Sequence, residues 1–144
     1  MIAVDTNVLV YAHREDSTWH VEAESAVRGL AESSHAWAVP WPCLHEFLAI
    51  VTHPRIFDPP TPAQRAVDQV EAWLESPSLV VLGEGEGYWA HLREATLRGK
   101  AVGPRVHDAR IAALCRYHRV TELWTVDRDY QRFAGVRVRN PLAG

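Results

Sequence analysis

The sequence of 144 residues lacks the features that mark several classes of protein. It has no apolar run close to the ~20 residues that a membrane-spanning helix needs, and no basic segment opens it as in a signal peptide. Its only cysteines, Cys43 and Cys115, lie in apolar helical patterns, so we expect small buried side chains and not a disulfide or redox pair. Without repeats, low-complexity tracts or a clear linker, the chain is expected to form one cytoplasmic domain over residues 1–144.

Positive charge is scarce in the first part of the chain. Residues 1–90 contain 4 Arg and no Lys against 13 Asp and Glu, a balance of −9, whereas residues 91–144 contain 11 Lys and Arg against 5 acids, a balance of +6. This asymmetry indicates an anionic partner for the C-terminal part. The alternative, in which these charges only solvate helix faces and mix on folding, stays open.

Short apolar runs alternate with helical patterns along the chain. Hydrophobic spacing predicts five helices, at His20–Ala31, Pro42–Val51, Pro62–Leu74 with Thr61 as its cap, Tyr88–Leu97 and Val106–His118. Five β-rich runs are predicted as strands, at Ile2–Val4, Ala36–Val39, Leu79–Leu82, Leu123–Val126 and Val136–Val138. Because the runs do not alternate with polar residues, they favour a parallel sheet covered by helices, an α/β fold. The proline-rich residues 53–62 are expected to form a rigid connection.

Tryptophan is expected mainly in the core. We place Trp37, Trp41 and Trp124 there. The core is also the expected place of Trp19 and Trp89, with a surface for contact with another protein chain as their alternative.

Four acids stand where burial would be costly. Asp5 and Asp127 end apolar runs, and ligands of α/β proteins bind at the carboxyl ends of the strands. Glu46 and Asp108 lie on apolar helical rows with neighbours three and four residues away. Each acid alone has an ordinary explanation: a turn, a helix cap or an escape to solvent. Taken together, the four acids have one common explanation, in which a divalent metal ion compensates their negative charge.

The ligand types indicate the metal and the chemistry. Carboxylate oxygens suit Mg²⁺ or Mn²⁺, and no spaced His and Cys set favours Zn²⁺. A carboxylate-held Mg²⁺ activates water and neutralises a phosphate, so the pattern favours hydrolysis of phosphate esters. The basic C-terminal region could then hold flanking phosphates.

Four segments in order carry a family resemblance: "IAVDTNVLVYA", "LHEFLAIVTHPRIF", "HDARIAALCRYHRV" and "WTVDRDYQRF". They resemble the motifs of PIN-domain ribonucleases of the VapC type, the toxins of bacterial type II toxin–antitoxin pairs. The resemblance spans Ile2 to about Pro141, with one mild departure, since the aromatic residue of the last motif is Tyr130 where Phe is commoner.

The resemblance implies a three-layer α/β/α fold with a central parallel sheet of four to five strands. It implies metal-dependent endonucleolytic cleavage of RNA without a covalent enzyme intermediate. The implied catalytic and Mg²⁺-binding acids are Asp5, Glu46, Asp108 and Asp127, with Mn²⁺ as a substitute, and the implied helpers are Thr6, Asn7, Thr125 and Asp129. It further implies a homodimer, and a VapB-like antitoxin that forms a hetero-oligomer with the toxin and covers the acidic site.

Four cations near the acids are candidates for contact with RNA: Arg98, Lys100, Arg105 and Arg110. For Arg110, a pair with a carboxylate is the alternative, and for the other three it is plain surface charge.

Two other functional classes compete with a nuclease. A catalytically silent PIN-like RNA-binding or interaction module would gain from losing the repelling acids, yet all four are present. A phosphoacceptor domain usually needs an acidic pair after the first strand and a lone Asp after the third, and an aspartyl phosphatase needs a second acid two residues after the first, but Thr6 and Asn7 follow Asp5.

Overall fold

A five-stranded parallel sheet forms the centre of the computed structural model, which describes residues 1–143. Its strands are β1 (Ile2–Val4), β2 (Trp37–Pro40), β3 (Leu79–Leu82), β4 (Glu122–Trp124) and β5 (Val138–Arg139). They lie in the order β3-β2-β1-β4-β5, and every neighbouring pair is parallel. Ala3, Val4 and all of β2 are buried, which explains why these strands read as continuous apolar runs.

Six α-helices flank the sheet. They are α1 (Thr6–His13), α2 (His20–Glu32), α3 (Trp41–Val51), α4 (Ala63–Leu74), α5 (Tyr88–Arg98) and α6 (Arg105–Tyr117), and a 3₁₀ helix covers Arg128–Arg132. Helix α1 packs with α2 and α3, α5 packs with α6, and both α3 and α6 contact β2. The predicted α/β/α architecture with a parallel sheet is thus confirmed.

The order of the strands creates a switch point beside β1. The chain runs from β1 outward to β2 and β3, then returns on the other side with β4 and β5. Val4 pairs with Trp124 in register, so Asp5 and Thr125 leave neighbouring strands at the same level. Crevices of this kind are the usual ligand sites of open α/β sheets.

Several local predictions were wrong. Helix α1 was not predicted, and the fourth strand ends at Trp124 and not at Val126. Thr61 does not cap α4, because its buried hydroxyl bonds His13 and Arg14 instead.

Three of the five tryptophans expected in the core are exposed. Trp41 is 43% exposed, Trp19 46% and Trp89 68%. Trp41 begins α3 on the face opposite the buried Cys43 and Phe47, which explains its exposure. Trp37, Trp124 and both cysteines are buried, as predicted, and the cysteines are not bonded to each other.

Arg14 holds the predicted connection between α3 and α4. Its guanidinium donates to the Pro59 carbonyl at 2.9 Å and lies 4.2 Å from the centre of the Phe57 ring. Within residues 1–143, no helix has both the length and the apolar character needed to cross a bilayer.

Candidate active site

Asp5 lies at the base of the site, and its carboxylate is surrounded by donors. Its side chain is only 4% exposed. Oδ1 accepts from the Thr6 backbone N–H at 2.8 Å and from Cys43 Sγ at 3.5 Å. Oδ2 accepts from Thr125 Oγ1 at 2.7 Å and from Asn7 Nδ2 at 3.3 Å. These bonds fix the carboxylate in one orientation at the start of α1.

The environment of Asp5 disfavours its charged form despite these bonds. Burial raises the pKa of Asp5 to about 6, and the nearby charge of Glu46 adds to the rise. The hydrogen bonds from Thr125, Thr6 and Cys43 lower the pKa but do not outweigh burial. A cation beside Asp5 would offset this cost.

Thr125 joins Asp5 to the loop that carries Asp127. The hydroxyl of Thr125 donates to Asp5 and accepts from Asn7 Nδ2 and from the Asp127 N–H, both at 3.1 Å. Asp127 then caps the 3₁₀ helix, since its Oδ1 accepts from the Asp129 N–H at 2.9 Å. The predicted strand-end acids therefore belong to one hydrogen-bonded network.

The helical acids approach the same place from two other directions. Glu46, in the middle of α3, accepts a hydrogen bond from Thr6 Oγ1 at 2.7 Å. Asp108 lies in the first turn of α6, where the helix dipole favours an anion. The apolar row of Glu46 did not bury its side chain: Glu46 is exposed, while Asp108 and Asp127 are half-buried.

One cavity of about 190 Å³ is lined by all four acids. Its other lining residues are Thr6, Asn7, Ile50 and Tyr130. The four carboxylates singled out from the sequence lie on four separate elements, and the fold brings them to one place. No group of three His, Cys, Asp or Glu side chains in residues 1–143 is arranged so that it could hold a metal ion. Their role as metal ligands stays a prediction.

The predicted RNA-contacting cations have unequal surroundings. Arg105 lies at the edge of the site, 3.2 Å from Asp108 Oδ2, 4.0 Å from Asp127 Oδ2 and in close contact with Asp129 Oδ2. Arg110 pairs with Glu84 at 2.7 Å, so its carboxylate partner lies outside the four acids. Arg98 is 3.6 Å from Glu94 on the surface of α5, and Lys100 is exposed.

Comparison with known proteins identifies the family of the chain. Residues 2–136 match the PIN domain. The chain belongs to the PIN-domain family. Among curated relatives, Ribonuclease VapC43 of Mycobacterium tuberculosis is 36% identical over 144 residues, covering 100% of this chain and 97% of that protein. Ribonuclease VapC48 of the same organism is 32% identical over 140 residues, 97% of each chain.

Solved structures share the fold at lower identity. FitAcB from Neisseria gonorrhoeae superposes with a TM-score of 0.68 at 18% identity, covering 99% of both chains. VapC20 of Mycobacterium tuberculosis, described as a toxin that cleaves the sarcin–ricin loop, gives 0.66 at 18% identity, covering 95% of this chain and 99% of that one. VapBC2 from Rickettsia felis, bound to a promoter DNA fragment, gives 0.67 at 18% identity, covering 97% of this chain and 98% of that one. The PIN-domain VapC assignment made from the motifs is confirmed.

Sequence reasoning did not predict two contacts of the site, that of Cys43 with Asp5 and that of Arg105, a candidate for RNA contact, with Asp108. Cys43 precedes Glu46 by three residues on one helical row, and its thiol lies 3.5 Å from Asp5 Oδ1. Arg105 precedes Asp108 by three residues, the spacing of a helical ion pair.

Proposed function

We propose that this PIN-domain protein is a Mg²⁺-dependent endoribonuclease and the toxin of a type II toxin–antitoxin pair. One observation carries the proposal: four acids from four elements line a single cavity at the carboxyl edge of the sheet, and the innermost, Asp5, is buried. The ribonuclease names of relatives at 32–36% identity over nearly the whole chain support the same activity.

The donor set fits a hard divalent cation. Asp5, Glu46, Asp108 and Asp127 offer only carboxylate oxygens, which Mg²⁺ and Mn²⁺ prefer. Asp5 is the buried member, whereas Glu46, Asp108 and Asp127 are more exposed. When bound, Mg²⁺ supplies a more nucleophilic water and neutralises negative charge on the scissile phosphate.

The remaining residues of the site hold these acids in place. Thr125 and Asn7 orient the Asp5 carboxylate, and Thr6 fixes Glu46 through its hydroxyl. Tyr130 is 2% exposed and supports the wall of the cavity. Such supporting contacts commonly change metal affinity or activity about 10–100-fold when removed.

Cleavage of RNA by the purified protein tests the proposal. We expect cutting with Mg²⁺ or Mn²⁺, none with EDTA, and recovery when the metal is returned. Because the sheet and helices supply the core, the circular dichroism spectrum should stay unchanged under chelation. Asp5→Asn and Asp108→Asn should abolish cleavage, while Glu71→Gln, which removes an exposed carboxylate of α4, should not.

A modified substrate separates this chemistry from contaminating ribonucleases. Attack by water does not use the 2′-hydroxyl, so RNA with a single 2′-deoxy nucleotide at the cut position should still be cleaved. Full activity in EDTA, or wild-type cleavage by Asp5→Asn, would contradict the metal site, and no cleavage with either metal would leave the silent PIN-like module as the better interpretation.

We infer further that a VapB-like antitoxin is the partner and that the toxin forms a homodimer in the cytoplasm. The exposed Trp19 and Trp89 provide apolar surface of the kind found in protein interfaces. Co-expression with the product of a small adjacent gene should relieve toxicity and yield a stable complex. Light scattering should give twice the monomer mass for the toxin, and a monomer would contradict the dimer alone.

A further inference from the structure

Arg105, the first residue of α6, is the cation of the acid site. Its Nη1 lies 3.2 Å from Asp108 Oδ2 and 4.0 Å from Asp127 Oδ2, and its Nη2 bonds Asp129 Oδ2. One guanidinium thus touches the start of α6 and both acids of the loop after β4.

No other cation in residues 1–143 pairs with the four cavity acids. Arg110 is engaged by Glu84, and Arg98 by Glu94. The guanidinium of Arg105 contacts Oδ2 of both Asp108 and Asp127, which are two of the four carboxylates that line the cavity. A divalent cation that took these carboxylates would compete with Arg105 for the same negative charge.

We propose that Arg105 is a built-in counter-ion that a divalent cation displaces from Asp108 and Asp127. The inference rests on the proposed function. In the metal-free protein, Arg105 reduces repulsion between the α6 acid and the acids of the β4 loop. After displacement the guanidinium stays tethered at the mouth of the cavity, where it can pair with a phosphate of RNA. Metal loading and capture of RNA are thereby coupled through one side chain.

Metal affinity is the direct test and needs no catalysis. Mn²⁺ binding to Arg105→Gln should be tighter than to the wild type by between about twofold and fivefold, because partly exposed ion pairs are worth up to about a fivefold change in an equilibrium. Arg28→Gln is the matched control, since Arg28 is paired with Glu24 on α2 and the net charge changes equally. Titration followed by the electron paramagnetic resonance of free Mn²⁺ gives all affinities.

Thermal stability without metal gives a second readout. Arg105→Gln should unfold at a lower temperature than the wild type in EDTA, because three carboxylates lose their shared cation, and the difference should shrink at saturating Mn²⁺. Arg105→Lys keeps the charge but not the planar fork that reaches two carboxylates. It should therefore bind Mn²⁺ with an affinity between those of wild type and Arg105→Gln.

The outcomes separate this inference from the proposed function. Equal or weaker Mn²⁺ binding by Arg105→Gln, with normal binding by the wild type, overturns the displaced counter-ion while the metal site stands. Weaker binding specifically would make Arg105 a brace that the metal-bound site needs. Failure of the wild type and all variants to bind Mn²⁺ removes the metal site, and the inference falls with it.

Discussion

Asp5 combines burial with a full set of hydrogen-bond donors, and the two have opposite effects on its charge. Four donors favour the carboxylate, yet burial dominates and raises its pKa to about 6 from an ordinary value of 3.8. A shift of this size means that the charged form costs about 3 kcal/mol of folding free energy at neutral pH. Function is the evident reason to keep such a residue.

Asp5→Asn should therefore stabilise the metal-free protein in a pH-dependent way. The folded pKa lies above the unfolded one, so the folded protein binds more protons between them, and the wild type loses stability as pH rises through that window. The advantage of Asp5→Asn in the free energy of unfolding should grow by about 1–2 kcal/mol between pH 5 and pH 8. Urea denaturation in EDTA at each pH measures it.

Two controls test this expectation. Glu71→Gln should show no such growth, because its carboxylate is exposed on α4. Saturating Mg²⁺ should raise the stability of the wild type and leave Asp5→Asn unchanged. A constant difference between Asp5→Asn and wild type over this range would show that Asp5 is charged in the fold without cost.

Thr125→Val should reduce activity about 10–100-fold, as is common when a residue that orients a metal ligand is removed. The side chains have nearly the same shape, but valine neither donates to Asp5 nor accepts from the Asp127 N–H. Because the hydrogen bond from Thr125 lowers the pKa of Asp5, its loss should also move the acidic limb of the activity profile to higher pH.

Thr125→Ser keeps the hydroxyl and is the matched control. It should retain most of the activity and the wild-type position of the acidic limb. A Thr125→Val enzyme with the wild-type pH profile would mean that the hydroxyl does not act through Asp5.

Among the secondary-structure elements, the sequence predicted the helices whose apolar residues recur with a clear period. It missed one helix, which lacks such a period. The spacing of apolar residues located α2 to α6 to within one residue at each end, and β1 and β3 match their predicted bounds. Helix α1 was missed because Val8, Leu9, Val10 and Ala12 are all buried, so it has no polar face. An apolar run of this kind does not distinguish helix from strand.

The part of the candidate site that follows directly from the strands was predictable. Asp5 and Asp127 follow strands, so a parallel sheet had to bring them near each other. The contact of Cys43 with Asp5 and those of Arg105 with Asp127 and Asp129 depend on how α3 and α6 are rotated and packed, which their own periods do not determine. The exposure of Glu46 has the same origin, since it depends on what lies above α3.

The end of α5 approaches Phe133 closely because residue 99 is a glycine without a Cβ atom. A Cβ there would lie 2.5 Å from Phe133 Cε1 and 2.6 Å from the carbonyl oxygen of Ala95. Gly99→Ala should therefore lower the free energy of unfolding by about 1–3 kcal/mol. Gly29→Ala is its control within α2, where a Cβ meets nothing within 4 Å, and it should raise stability by about 0.5–1 kcal/mol. Equal effects in chemical denaturation would contradict the crowding at Gly99.

Over the molecule as a whole, the opposite charges of the two parts of the chain meet at the site. Glu46 belongs to the part with a balance of −9, whereas Arg105 belongs to the part with a balance of +6. Much of the positive charge is already paired, as in the contacts of Arg110 with Glu84 and Arg116 with Glu94. The excess charge that can meet a polyanion is consequently smaller than the sequence balance suggests.

Arg98 and Lys100 test whether the end of α5 provides such free charge. Arg98 is highly exposed although it pairs with Glu94 at 3.6 Å, and Lys100 is exposed in the loop that leads to α6. Arg98→Gln/Lys100→Gln should weaken the binding of single-stranded RNA. The slope of log affinity against log salt should fall by about 0.7 for each phosphate that is no longer neutralised. Anisotropy with labelled RNA measures this on an Asp5→Asn background, which is expected not to cleave RNA.

Net charge is the competing explanation, and a second pair of substitutions separates it from local contact. Arg28→Gln/Arg55→Gln removes two cations from the acidic part of the chain, on α2 and in the connection between α3 and α4. The overall charge changes equally in both double variants, so a general field effect would weaken RNA binding equally. Direct phosphate contact predicts a reduced salt slope only for Arg98→Gln/Lys100→Gln. Identical slopes in the two variants would assign this loop to plain surface charge and direct the search for the RNA path to Arg128 and Arg132, beside Asp127.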